Sequence, residues 1–359
     1  MVTGIICSIL LFKKSNKKPS NKFLGLGILG FVWLNTKTLL HSLNLWEIHG
    51  FGFFPNGIEL ALPPLFYFYI LALIHSKFEF TKKKWLHFIP FSISQGYAII
   101  VYIATMQTPL LFEKDLIASS LYFNEIKNFE EYLIILSTLV YLYFAYKHIK
   151  NYKYWLSNNT SDTQFSELIF LKNIFFGFLF ISIYTIVNLI LNQFLDNSYY
   201  WRWELNHLII AILVYYMGLV GYKNSELVPQ YFSIKLRRKI KRTNEKIDLD
   251  IIDTLNSIFE KDKIYLNNKL SLQELAKMLD MNETILSNTI NAHYNKNFRS
   301  LINELRVREV ENRLLNGGLD NLSLLGLAKE CGFNSEASFY RIFKTTTGST
   351  PKQFLKTHS

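Results

Sequence analysis

Seven apolar runs recur through the first 222 residues, at roughly 1–12, 23–43, 54–75, 85–105, 129–149, 167–195 and 203–222. A helix needs ~20 apolar residues to cross about 30 Å of hydrocarbon at 1.5 Å per residue, and five or six of these runs reach that length. The segment LIILSTLVYLYFAY (133–146) is apolar on every side, with no polar stripe to face water. Several consecutive helices of this kind cannot all be buried in one soluble core, so the runs predict a polytopic transmembrane helix bundle over 1–222. The composition agrees: half of the residues are hydrophobic and only 19% are charged, which excludes a disordered chain.

Charge between the runs sets the orientation. The connections at 13–22, 76–84 and 147–166 and the segment 223–242 together hold nineteen Lys and Arg, against three in 44–53, 106–128 and 196–202. Basic loops stay cytoplasmic, which puts everything after residue 222 inside the cell membrane. Aromatic residues near the run ends, among them Trp46, Trp85, Trp155 and Trp201, fit interfacial belts. The first run is short of a full span, so the expected count is six or seven, with seven preferred.

Polar residues within the runs are the candidates for a sensing site: Lys37, His41 and Glu59 near outer ends, and Asn188, Asn192 and Gln193 late in the sixth. The plainer reading, snorkelling for Lys37 and interhelical hydrogen bonds for the Asn residues, is preferred. The double proline of ALPPLFYFYI (61–70) predicts a kinked helix start. Cys7 and Cys331 lie far apart, which excludes a disulfide framework or zinc cluster, and the eight His fall in no HxxxH or HExxH pattern. No catalytic set, metal site or cofactor is therefore expected.

The net charge of +11 suits an anionic partner. A basic linker at 223–246 leads to a soluble region at 247–359, where apolar residues turn to helical spacing. Ile251, Ile252, Leu255, Ile258 and Phe259 give a first amphipathic helix. In 271–294, Ser271 with Glu274 reads as a capping box, and Leu272, Leu275, Ala276 and Leu279 form a core face. After a turn, Asn282 caps a second helix that buries Ile285, Leu286 and Ile290 and exposes Thr284, Ser287, Asn288 and Asn291. Two short helices across a tight turn predict a helix-turn-helix. The pattern returns at 323–346. Ser323 caps, Gly332-Phe333 turns, Asn334 or Ser335 caps again, and Phe339, Ile342 and Phe343 face inward. Glu336, Ala337, Tyr340, Arg341 and Lys344 face out, while Gly348 ends the helix and Thr350-Pro351 starts another.

The segment GFNSEASFYRIFKTTTGSTPKQF (332–354), with its Gly-Phe, Phe-x-x-x-Phe-Lys, Thr-Gly and Thr-Pro, resembles the AraC/XylS family of transcriptional regulators over about 250–356. The whole chain looks like the subgroup that joins this domain to a multi-helix membrane region. HFIP (87–90) and PPLFYFYI match that region more loosely. Gly326 departs from the family, where a helix-favouring or acidic residue is usual; glycine costs up to about 1 kcal/mol in a helix interior.

The resemblance implies an all-α fold, a membrane bundle followed by tandem helix-turn-helix units that bind double-stranded promoter DNA. Side-chain chemistry then suggests roles. Arg341 suits guanine, Asn288 and Asn291 adenine, and Thr284 or Ser287 a base or phosphate. Lys344 fits phosphate, and Glu336 either cytosine or a helix N-terminal charge. Arg306, Arg308 and Arg313 on the intervening helix are expected to be solvated or intramolecular. The expected activity is that of a membrane-anchored regulator coupling an unknown signal molecule to promoter occupancy, as a homodimer, without catalysis. The alternative is a transporter or channel with a cytoplasmic regulatory tail.

Overall fold

The computed structural model describes residues 1–15, 18–43, 45, 48, 50–75, 78–160, 166–194, 201–224, 249–319 and 322–358. The linker called at 223–246 lies outside the described residues from 225 onward, as do the side chains of Lys37, His41, Asn192 and Gln193. Among the described residues the chain is all-helical, with no β-strand. It divides into two compact units, Met1–Lys150 with Glu167–Ser233, and Asn151–Ser166 with Ile234–Ser359.

The first unit contains α1 (Val2–Lys13), α2 (Pro19–Ser42), α3 (Leu62–Ile74), α4 (Ile89–Thr105), α5 (Leu111–Ser120), most of α6 (Phe123–Asn159), α7 (Ser166–Phe194) and α8 (Trp201–Asn224). Each apolar run becomes a helix. α3 is the central one: all its residues but Tyr67 are buried, and it packs on α2, which also meets α1 and α8. Pro63 and Pro64 stand in its first turn, where no intrahelical N–H bond is lost, so they start the helix rather than kink it.

Among the described residues, three helices are long and apolar enough to cross a membrane: Lys82–Thr105 (a 3₁₀ turn continuous with α4), Phe123–Asn159 and Leu171–Asn188 within α7. Val2–Lys13, Glu59–Ile74 and Leu208–Tyr222 are apolar but shorter. The six or seven expected spans therefore correspond to three helices of full spanning length among the described residues. The long helices turn large apolar side chains outward, including Ile93, Ile100 and Ile103 on α4, Leu136 and Phe144 on α6, and Phe176 and Phe180 on α7. Asn188 donates to the Tyr184 carbonyl one turn back in its own helix, 2.9 Å away, so its bond is intrahelical rather than the interhelical one expected.

The second unit consists of α9 (Leu249–Ser257), α10 (Leu272–Met278), α11 (Glu283–Tyr294), α12 (Phe298–Leu315), α13 (Leu324–Glu330), α14 (Glu336–Thr347) and α15 (Pro351–His358), joined by the last nine residues of α6. Two cores share α12. Its front half (Phe298, Leu301, Ile302) packs with Leu255, Phe259, Leu275, Leu286 and Ile290. Its back half (Val307, Val310, Leu314) packs with Leu327, Ala328, Phe333, Phe339 and Phe343. Apolar residues spread over two faces of one 18-residue helix thus fix the spacing of the flanking units.

Candidate nucleic-acid interface

Each helix-turn-helix unit is set by its caps. Ser271 accepts from the Glu274 N–H (3.1 Å) and Asn282 from the Thr284 N–H (2.8 Å), which start α10 and α11. In the second unit Ser323 accepts from the Gly326 N–H (3.0 Å) and Ser335 from the Ser338 N–H (3.3 Å). Ser335, not Asn334, is therefore the cap of α14; the Asn334 amide instead donates to the Asn268 carbonyl (3.3 Å). Gly348 closes α14 at φ +81°, and Thr350 and Gln353 bond reciprocally at the start of α15.

The turn of the second unit is built around a buried cation. Arg306, 1% exposed, donates from Nε to the Tyr265 carbonyl (2.6 Å) and from Nη2 to the Asn267 carbonyl (2.8 Å). Gly332 passes directly over this clamp at φ +89°; a Cβ there would lie 2.7 Å from Arg306 Nε and 2.8 Å from the Leu266 carbonyl oxygen. Only glycine fits. Around the clamp, Glu309 takes Lys263 (2.8 Å) and Arg313 (2.9 Å), and Arg313 also reaches Glu330 (2.8 Å). Arg308 pairs with Glu304 (2.8 Å). Arg306, Arg308 and Arg313 of α12 are thus each engaged within the protein.

Burial raises the Glu309 carboxyl, but the hydrogen bonds and charges of Lys263 and Arg313 outweigh it, and the net shift is downward. Burial, reinforced by Glu309, pushes the Tyr265 hydroxyl up to about 12, and burial pushes the Cys331 thiol up to about 11.

The outward residues form one face on each of α11 and α14. On α11, Asn288 and Asn291 are exposed, while Thr284 and Ser287 are half-buried. On α14, Glu336, Ala337, Arg341 and Lys344 are exposed, and Tyr340 is half-buried with its ring 5.4 Å from that of Phe339. The expected burial of Ile285 is corrected: it is 41% exposed, because Leu286 and Ile290 already fill the inward stripe one position on. Ile285 therefore stands one turn from Asn288 on the exposed side. The signal was present in the sequence as an apolar residue one step outside the i, i+4 pair of Leu286 and Ile290.

A family model described as a helix-turn-helix domain matches residues 275–357. The C-terminal part of the chain is an AraC-type helix-turn-helix domain. Uncharacterised HTH-type transcriptional regulators of Staphylococcus aureus, from strains MSSA476, N315 and MRSA252, are 29% identical to it over 102 residues. Each alignment takes in 28% of this chain and 13% of the relative, so the chain spans only a small part of the relatives it matches. A solved structure of a protein of unknown function from Listeria innocua is 28% identical, with a TM-score of 0.27, over 30% of this chain and 97% of that one.

Proposed function

We propose that the chain is a membrane-embedded transcriptional regulator whose cytoplasmic domain reads promoter DNA with two helices at once. The observation that carries this reading is the double core built on α12: one rigid helix, roughly 27 Å long, holds two capped helix-turn-helix units with polar faces outward. That length suits two successive major grooves about 34 Å apart, so the site within one protomer is asymmetric.

Arg341 is assigned a bidentate contact to guanine, Asn288 and Asn291 contacts to adenine, and Ile285 with Ala337 contacts to thymine methyl groups. Thr284, Ser287, Tyr340 and Glu336 complete the two faces, and Lys344 with the helix N-termini holds phosphate. The outward apolar side chains of α4, α6 and α7 and the nineteen-to-three loop charge support insertion in the cell membrane with the C-terminal domain inside. Coupling is supported by α6, whose last residues belong to the second unit. There Asn158 Oδ1 accepts from the Asn297 amide (3.1 Å), and Asn297 is the N-cap of α12.

Purified 243–359 is expected to bind its promoter with affinity falling steeply with salt, and Arg341→Ala to relax preference at one base pair. Weak binding indifferent to sequence would overturn the reading. The transporter reading is tested by solute flux in liposomes.

A further inference from the structure

α6 continues past its apolar run, and residues 151–159 of it belong to the second unit. There Tyr152, Leu156 and Thr160 recur at i, i+4 and i+8 and form one buried stripe. The end of the segment meets two residues distant in sequence. Thr160 pairs with Ser271 in an isolated antiparallel bridge, and Asn158 Oδ1 accepts from the Asn297 amide at 3.1 Å.

Both partners are N-caps. Ser271 starts α10, and Asn297, whose Oδ1 takes the Ser300 N–H at 2.9 Å, starts α12. α11 packs on both of those helices and shares their core, whereas α14 belongs to the core on the other half of α12. Asn297 uses both ends of its carboxamide, the oxygen for its own helix and the nitrogen for α6. A displacement of Asn158 therefore either carries the start of α12 with it or breaks the bond.

We infer that the end of α6 is a regulatory strap on one half of the tandem module: it sets how α11 meets DNA and leaves α14 unaffected. The inference rests on the regulator reading above and adds which helix-turn-helix unit receives the signal. Because linked equilibria are reciprocal, DNA held by α11 acts back on the strap.

The test uses the full chain in lipid nanodiscs, with the half-sites assigned by Asn288→Ala and Arg341→Ala. Asn158→Ala removes the acceptor, while Asn158→Asp keeps an oxygen in its place. Asn158→Ala is expected to change occupancy of the α11 half-site, read by hydroxyl-radical footprinting, on the order of fivefold, with the α14 half-site unchanged. Asn158→Asp should behave as the parent chain, and Lys153→Gln, on an exposed position of the same segment, should have no effect. Hydrogen exchange gives a readout without DNA: Asn158→Ala should speed exchange across 297–302 and not across 336–347. Equal change at both half-sites, no change at the α11 half-site, or an Asp variant that behaves as the Ala variant overturns the inference. If the 243–359 fragment binds no promoter, the regulator reading falls and the inference with it; if the fragment binds and the full chain is indifferent to Asn158→Ala, the strap alone is wrong.

Discussion

Replacing Gly332 by alanine tests the clamp at the second turn. The new methyl meets two costs. At φ +89° an L side chain is strained by about 1–2 kcal/mol. It also lies 2.7 Å from Arg306 Nε, 2.8 Å from the Leu266 oxygen and 3.0 Å from the Tyr265 oxygen. Those atoms cannot withdraw freely, because Arg306 Nε is itself bonded to the Tyr265 carbonyl, and overpacking of this kind costs about 1–3 kcal/mol. The expected loss is therefore about 2–5 kcal/mol, a large part of a domain's usual 5–15 kcal/mol. Urea unfolding of 247–359 followed by circular dichroism measures it. Gly348→Ala is the control: φ is similar at +81°, but nothing lies within 4 Å, so only the conformational cost of about 1–2 kcal/mol applies. If the two variants lose equal stability, the steric part of the argument is wrong and the Arg306 clamp does not confine the turn.

Other outcomes follow from the same network. Glu309 and Glu304 both titrate below the usual carboxylate value of 4.5, Glu304 chiefly through its bond from Lys296. A carboxylate depressed in the folded state stabilises it fully above the unfolded value, and that contribution is lost as pH falls through the folded value. The 247–359 fragment should thus be flat in stability from neutral pH to about 5 and fall below 4.5, with the drop reduced in Glu309→Gln, as read by urea midpoints against pH. Cys331, fully buried with its thiol raised to about 11, should resist Ellman's reagent at pH 8 until the domain unfolds; rapid labelling of the native fragment would contradict the packing. Ile285→Ala should leave stability within about 0.5 kcal/mol, since the side chain is already exposed, yet weaken specific DNA binding; a gel-shift competition separates the two effects.

The helical class was legible in the sequence because both of its signals are local. Apolar runs of spanning length need no partner to be recognised, and capping at Ser271, Asn282, Ser323 and Gly348 is decided by residues within one turn. The exposed faces of α11 and α14 followed from the same periodicity, and where it failed, at Ile285, the error was one residue of helical phase, about 100°. What was not legible depends on contacts between distant segments. Nothing near Arg306 announces that its guanidinium turns inward to carbonyls some 40 positions earlier, or that Gly332 is glycine because of it rather than because turns favour glycine. Glu130 is the same kind of case: the Ser94 hydroxyl of α4 donates to its carboxylate at 2.6 Å only because α4 and α6 lie side by side. Short-range patterns thus specify which helices form and which way they face. The groups that forbid a substitution are assembled by tertiary contact, and Gly332 is the trace that such an assembly leaves in the sequence.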